Sequence, residues 1–110
     1  MRRCGNLRGY TARTLTIIKH PPRVLSAYSW RPCVRHYWPA SAVEWALTII
    51  RRESGGQEHV MNYQGSGCAG LFQLYPGWYH RYHFDPLVGW LNVKYAALMY
   101  RMCGTSPWAL

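Results

Sequence analysis

The sequence predicts a mainly helical α+β domain, and three stretches carry that prediction. Residues 42–54 place apolar side chains at helical spacing and stop at Gly55-Gly56. Asp85-Pro86, followed by Leu87, Leu91, Tyr95, Leu98 and Met102, marks a second long helix with an apolar stripe. Between them lie a Gly-rich polar segment, residues 57–67, and the short apolar run Gly70-Leu71-Phe72-Gln73-Leu74. That interval has room for a loop or a small hairpin.

The first long helix is read in most detail. Ser41-Ala42-Val43-Glu44 has the form of a capping box, with Ser41 at the N-cap and Glu44 three residues on. Val43, Ala46, Leu47 and Ile50 then form the apolar face. Glu53 follows Ile50 by three residues, Ile49 by four and Ala46 by seven, and so extends that face. Glu44 lies nine residues earlier, which at about 100° per residue turns it to the opposite side. Gly55 and Gly56 supply the left-handed conformation that ends a helix.

Glu53 is therefore predicted to combine apolar surroundings with the negative end of a helix dipole. Both favour the neutral acid, the form a general acid needs near neutral pH. The plainer reading is an ordinary last-turn glutamate. Helix C-termini prefer cations, however, and Arg51 and Arg52 already supply them, so Glu53 breaks a local rule without structural gain.

Elsewhere the elements are shorter. Residues 1–25 are polar and basic and read as a flexible arm, either a plain extension or a cationic segment for an anionic wall or membrane surface. In residues 26–40, Pro32 and Pro39 bound a short helix, and the folded unit is expected to start near Trp30. Pro76 opens a turn or helix holding Trp78, Tyr79 and Tyr82. Gly104 ends the last helix, and Pro107 prevents its continuation. The expected division is an arm, 1–25, and one domain, 26–110, with its motifs within 42–108.

Composition bounds the function. The 110 residues are 49% hydrophobic and include six Trp and nine Tyr, enough for one compact core. The net charge is +9, and its excess lies early: eight of the 13 Lys and Arg precede Ser41, whereas all four acids follow it. No nucleic-acid recognition module accompanies those charges, so only non-specific, salt-sensitive contact is expected. No stretch is long and apolar enough to span a membrane, and Leu15-Thr16-Ile17-Ile18 is too short for the core of a signal peptide. Synthesis in the cytoplasm is expected, with delivery by other means if the target lies outside.

Four cysteines, Cys4, Cys33, Cys68 and Cys103, allow three pairings between which the sequence does not choose. Cys33-x-x-His36 and His80-x-x-His83 lack supporting metal motifs, and no metal or cofactor is expected. A monomer is expected.

Glu53 has no good carboxylate partner: Glu44 faces away, Asp85 is expected to cap a helix, and Glu58 lies beyond the double glycine. Most glycoside hydrolases use two carboxylates. One carboxylate suits a reaction whose substrate supplies its own nucleophile. At these residues the chain resembles the lysozyme-like lytic transglycosylases. The resemblance rests on an ordered series: Glu53-Ser54-Gly55-Gly56, Asn62, Ser66-Gly67-Cys68-Ala69-Gly70-Leu71-Phe72-Gln73-Leu74, Pro76, Trp78, Asp85-Pro86, Asn92-Val93, Ala96-Ala97 and Gly104-x-x-Pro107-Trp108. It covers residues 42–108, and the order of the motifs is more specific than any single one. It is similar to small actinobacterial and phage versions.

The resemblance implies a lysozyme-like fold and cleavage of the β-1,4 bond between N-acetylmuramic acid and N-acetylglucosamine in peptidoglycan. It implies Glu53 as acid and then base, with the muramic 6-hydroxyl attacking its own C1 to leave a 1,6-anhydro end. Ser54 would orient the Glu53 carboxyl, Asn62 and Gln73 would hydrogen-bond the sugar, and Tyr75 would line the cleft. Asn92 is expected to brace the last helix. Read without the family, Asn62 is a turn residue, Gln73 a backbone cap and Tyr75 a core aromatic.

The chain departs from the pattern at Cys68, where the family has a small alanine, and in lacking a late Ala-Tyr-Asn-type segment, for which Tyr95 is a candidate substitute although a core role is the expected one. With no signal peptide in view, release through a holin or carriage in a phage particle is the expected route to the wall. The alternatives are a hydrolytic muramidase and a non-enzymatic cationic wall or membrane binder.

Overall fold

A computed structural model describes residues 26–108; the basic arm expected at residues 1–25 lies outside the described residues. Four helices organise them: α1, Arg31–Tyr37; α2, Val43–Glu53; α3, Pro76–Arg81; and α4, Gly89–Cys103. Short 3-10 turns precede α1 and α2 and follow α4. The β component is a pair of antiparallel bridges, Met61 with Ala69 and Ala69 with Leu74. The expected mainly helical α+β class, with a minimal hairpin between Glu53 and Gln73, is what the chain adopts.

Helix α2 supplies the centre of the core. Val43, Ala46, Leu47, Ile49 and Ile50 are buried, as the apolar spacing requires. Its start differs from expectation. Ala42, not Ser41, is the N-cap, and no side chain caps it. Ser41 is taken into the 3-10 turn Ala40–Ala42, and Glu44 pairs with Arg31 of α1 instead of closing a capping box. The ion pair and the packing of α1 on α2 override the local motif.

The stop of α2 is as expected. Ser54 and Gly55 donate backbone N–H groups to the Ile50 carbonyl at 2.9 and 3.0 Å, and Gly55 and Gly56 have φ of 65° and 90°. Gly56 is doubly constrained, because a β-carbon there would lie 2.7 Å from the Ala27 nitrogen. Chain reversal and close packing on the first turn both require glycine at this position.

Helix α4 begins later than Asp85-Pro86 suggests, at Gly89 after N-cap Val88. Asp85 forms a turn instead, its Oδ1 accepting the Leu87 N–H at 2.9 Å. The N-terminus of α4 is capped from afar: Gly89 donates its N–H to Glu58 Oε1 at 2.7 Å, a carboxylate at the positive end of the dipole. The buried face also differs. Asn92, Val93, Ala96, Ala97 and Met99 are buried, while Met102 is 58% exposed and Leu87, Leu91, Tyr95 and Leu98 are only partly covered. The helix is apolar on most sides, so spacing does not single out the buried face. The small Ala96-Ala97 pair is the side that admits close neighbours.

Four indoles tie helices to backbone elsewhere in the fold. Trp30 donates to Gly56 O at 2.9 Å, Trp38 to Val93 O at 3.2 Å, Trp78 to Tyr95 O at 3.0 Å and Trp108 to Phe72 O at 3.0 Å. Large apolar area and one satisfied donor each make these rings effective clamps. Trp38 also stacks on Phe72, with ring centroids 5.2 Å apart. Cys68 and Cys103 are free thiols, not a pair, and Cys33 is disulfide-bonded. No described helix is long and apolar enough to cross a membrane.

Candidate active site

The candidate site is built on the end of α2, which a run of hydrogen bonds through Arg52 and Trp108 joins to Phe72 of the bridged segment 60–75. Glu53 is the last residue of α2. Its side chain is 27% exposed and ion-paired with Arg52 at 2.8 Å. The apolar isolation expected from helix spacing is thereby corrected, because the helix terminates at Glu53 and Arg52 folds across the end. Arg52 Nε and Nη2 both donate to Glu53 Oε2, at 3.0 and 2.8 Å. Among the described residues nothing is hydrogen-bonded to Oε1.

Three of the four substrate-contact candidates have their polar atoms engaged with the protein. Ser54 Oγ donates to the Ile50 carbonyl at 3.1 Å and accepts the Gly56 N–H at 3.2 Å. It closes the helix end and makes no bond to the Glu53 carboxyl. Gln73 has φ of 51°, in the left-handed region, and its Nε2 donates to Val60 O at 3.1 Å and Gly70 O at 3.0 Å. The turn is thus stapled by its own amide nitrogen. Asn62 is exposed and sits at the mouth of the loop, its backbone carbonyl accepting the Gly67 N–H at 3.0 Å and its amide meeting Ser66 Oγ at 3.5 Å.

Tyr75, the fourth, is 50% exposed and forms the N-cap of α3. Its ring is available at the surface, not buried in the core as the plainer reading of an aromatic beside Pro76 has it.

Asn92 is fully buried and braces more than the last helix. Its Oδ1 accepts the Phe72 N–H at 2.8 Å, and its Nδ2 donates to Ala69 O at 3.0 Å and Pro86 O at 2.9 Å. Three backbone groups, two from the 69–72 turn and one from Pro86, meet on one amide. Gly70 makes room for it, since a β-carbon there would intrude on both the Asn92 amide and the Pro86 carbonyl.

The remaining acids are occupied elsewhere: Glu44 with Arg31, Glu58 with the start of α4, and Asp85 with its own turn. No other described carboxylate is bonded or ion-paired with Glu53 or with Arg52. Among the described residues no group of three His, Cys, Asp or Glu side chains is placed to hold a metal. Two adjoining surface cavities of about 410 and 400 Å³ lie over α1, both lined by Arg31 and Arg35, and neither includes Glu53.

Sequence reasoning passed over Arg52 and Trp108 as parts of this site. Arg52 read only as a cation suited to a helix C-terminus. Adjacent residues do not face each other within a helix, so no spacing rule pairs Arg52 with Glu53; only the helix end permits it.

The arrangement is that of a mainly helical domain with a partly exposed glutamate at a helix end, bonded to Arg52 and, among the described residues, to no other side chain. Over 62 residues, 56% of its length, the chain is 42% identical to the probable transglycosylase IsaA of Staphylococcus epidermidis, and it spans 23% of that relative. No family model matches the chain, and no solved structure matches it.

Proposed function

We propose that this chain is a lytic transglycosylase that cleaves the β-1,4 bond between N-acetylmuramic acid and N-acetylglucosamine in peptidoglycan. The observation that carries the reading is the solitary Glu53 carboxyl: half-buried, held through one oxygen, with the other acids bonded elsewhere. The likeness to a probable transglycosylase supports the reaction class.

In this reading Glu53 donates its proton to the glycosidic oxygen as the C1–O bond breaks. The resulting carboxylate takes the proton of the muramic 6-hydroxyl as O6 bonds to C1. The products are a new 4-hydroxyl on one fragment and a 1,6-anhydro end on the other; the acid is regenerated and no water is consumed. A single group serving first as acid and then as base needs no second carboxylate. Tyr75 offers its ring to a sugar face, and Asn62 and the side-chain carbonyl of Gln73 offer hydrogen bonds to hydroxyl or N-acetyl groups. Ser54 contributes by fixing the helix end that carries Glu53. The place of action is the bacterial cell wall, reached by holin-type release or within a phage particle.

Glu53→Gln keeps the shape and removes the proton. It is expected to abolish turbidity loss on purified cell walls while the far-ultraviolet circular dichroism stays unchanged; full activity in this variant defeats the proposal. Mass spectrometry of fragments released by the wild type should show anhydro ends. Ends heavier by one water would make the enzyme a hydrolytic muramidase instead.

A further inference from the structure

We infer that Arg52 is a positioning residue for Glu53, turning the carboxyl so that its reactive proton resides on Oε1, and that the backbone carbonyl of Trp108 holds Arg52 in that role. The inference rests on the acid–base reading of Glu53 given above.

Two donors of one guanidinium converge on a single oxygen, Oε2, at 3.0 and 2.8 Å. An oxygen already accepting two charge-assisted N–H bonds is a poor seat for a proton, so the acid's proton sits on the other oxygen. Oε1 is also the oxygen left without a partner among the described residues. The same two atoms therefore define which oxygen is braced and which reacts.

An exposed ion pair between neighbouring residues is ordinarily weak, because two flexible side chains must be held in one geometry. Here the geometry is held from outside the pair. Arg52 Nη2 also donates to the Trp108 carbonyl at 3.1 Å. Trp108 is 5% exposed, lies in the 3-10 turn Ser106–Trp108, and packs against Phe72 and Trp45 with ring centroids 5.7 Å away in each case. Its indole N–H in turn donates to Phe72 O, next to Gln73. A continuous run of contacts thus joins Glu53, Arg52, Trp108 and the Phe72-Gln73 turn. The 3-10 turn after α4 braces the acid against the Phe72-Gln73 turn.

The test compares wild type, Arg52→Gln, Arg52→Lys and Glu53→Gln on soluble peptidoglycan oligomers, with circular dichroism on each. Loss of orientation at a reacting group lowers kcat by as much as about 100-fold. Arg52→Gln is expected to lose kcat on that scale with little change in KM, because Arg52 does not itself touch the glycan. Arg52→Lys, which restores a charged donor without the two-pronged geometry, should recover part of the loss. If Arg52→Gln fails to fold, Arg52→Lys decides: lowered kcat at unchanged KM supports the role, and wild-type kcat overturns it. A rise in KM alone, or Arg52→Lys no better than a folded Arg52→Gln, also overturns it. An active Glu53→Gln would mean that the acid–base reading itself has failed. An inactive Glu53→Gln beside Arg52 variants of wild-type kcat would defeat the Arg52 inference alone.

Discussion

Asn92 Oδ1 accepts the backbone N–H of Phe72 at 2.8 Å, and through that bond the last helix sets the position of the turn that carries Gln73. The same side chain reaches Ala69 and Pro86, so one buried amide satisfies three backbone groups that water cannot reach. Replacing it with alanine strands the Phe72 N–H and the Pro86 carbonyl, whereas the Ala69 carbonyl keeps the Leu74 N–H at 2.9 Å. With about 1–3 kcal/mol for each of the two buried groups left unsatisfied, Asn92→Ala should lose about 2 kcal/mol or more in a urea unfolding series. A loss below about 1 kcal/mol would show that these groups hold their places without it.

Gly89→Ala sets two effects against each other. Alanine is the better helix former by about 1 kcal/mol, and Gly89 is the first residue of α4. A β-carbon there, however, would enter the Trp30 ring and lie 2.9 Å from Glu58 Oε1. Overpacking of this kind costs about 1–3 kcal/mol, and both obstacles belong to anchored groups: Trp30 is bonded to Gly56, and Glu58 caps α4. The variant should melt at a lower temperature than the wild type. A higher melting temperature would mean that Trp30 moves aside freely.

The Arg31–Glu44 pair gives a pH dependence with a definite sign. The hydrogen bond from Arg31 holds the Glu44 carboxyl below its usual range, against a small opposing effect of desolvation. A carboxyl lowered in the folded state stabilises fully above its unfolded value, and that stabilisation disappears as pH falls through the folded one. The Glu44 side chain is 74% exposed, so the effect is small and sensitive to salt. Thermal melts of Glu44→Gln should fall slightly below wild type at neutral pH and low salt. The gap should close in acid, below the lowered carboxyl range, and shrink at high salt. A gap unchanged in acid would assign it to packing instead of charge.

Much of the scaffold around Glu53 was legible because it depends on local rules. Helix spacing from Val43 to Ile50, the two glycines after Ser54, and Pro76 and Gly104 as boundaries act within a few residues of chain. Each ends up doing what its chemistry suggests. The capping box at Ser41 and the helix start at Asp85-Pro86 are local signals too, yet both yielded. Arg31 draws Glu44 away from the first, and Glu58, 31 residues from Gly89 in sequence, caps α4 in place of the second.

The site divides along the same line. Sequence alone determined that one glutamate stands at a glycine-terminated helix end, followed by a polar loop and a short apolar turn, in a chain mainly helical and rich in aromatic residues. Tertiary structure alone decided that Arg52 crosses to Glu53, that Trp108 holds Arg52, that Ser54 serves the helix end, and that Asn92 joins three backbone groups. The physical reason is one of range. Propensity and spacing act between near neighbours, whereas a buried amide or a partly covered guanidinium is satisfied by whichever backbone group the packed core brings to about 3 Å.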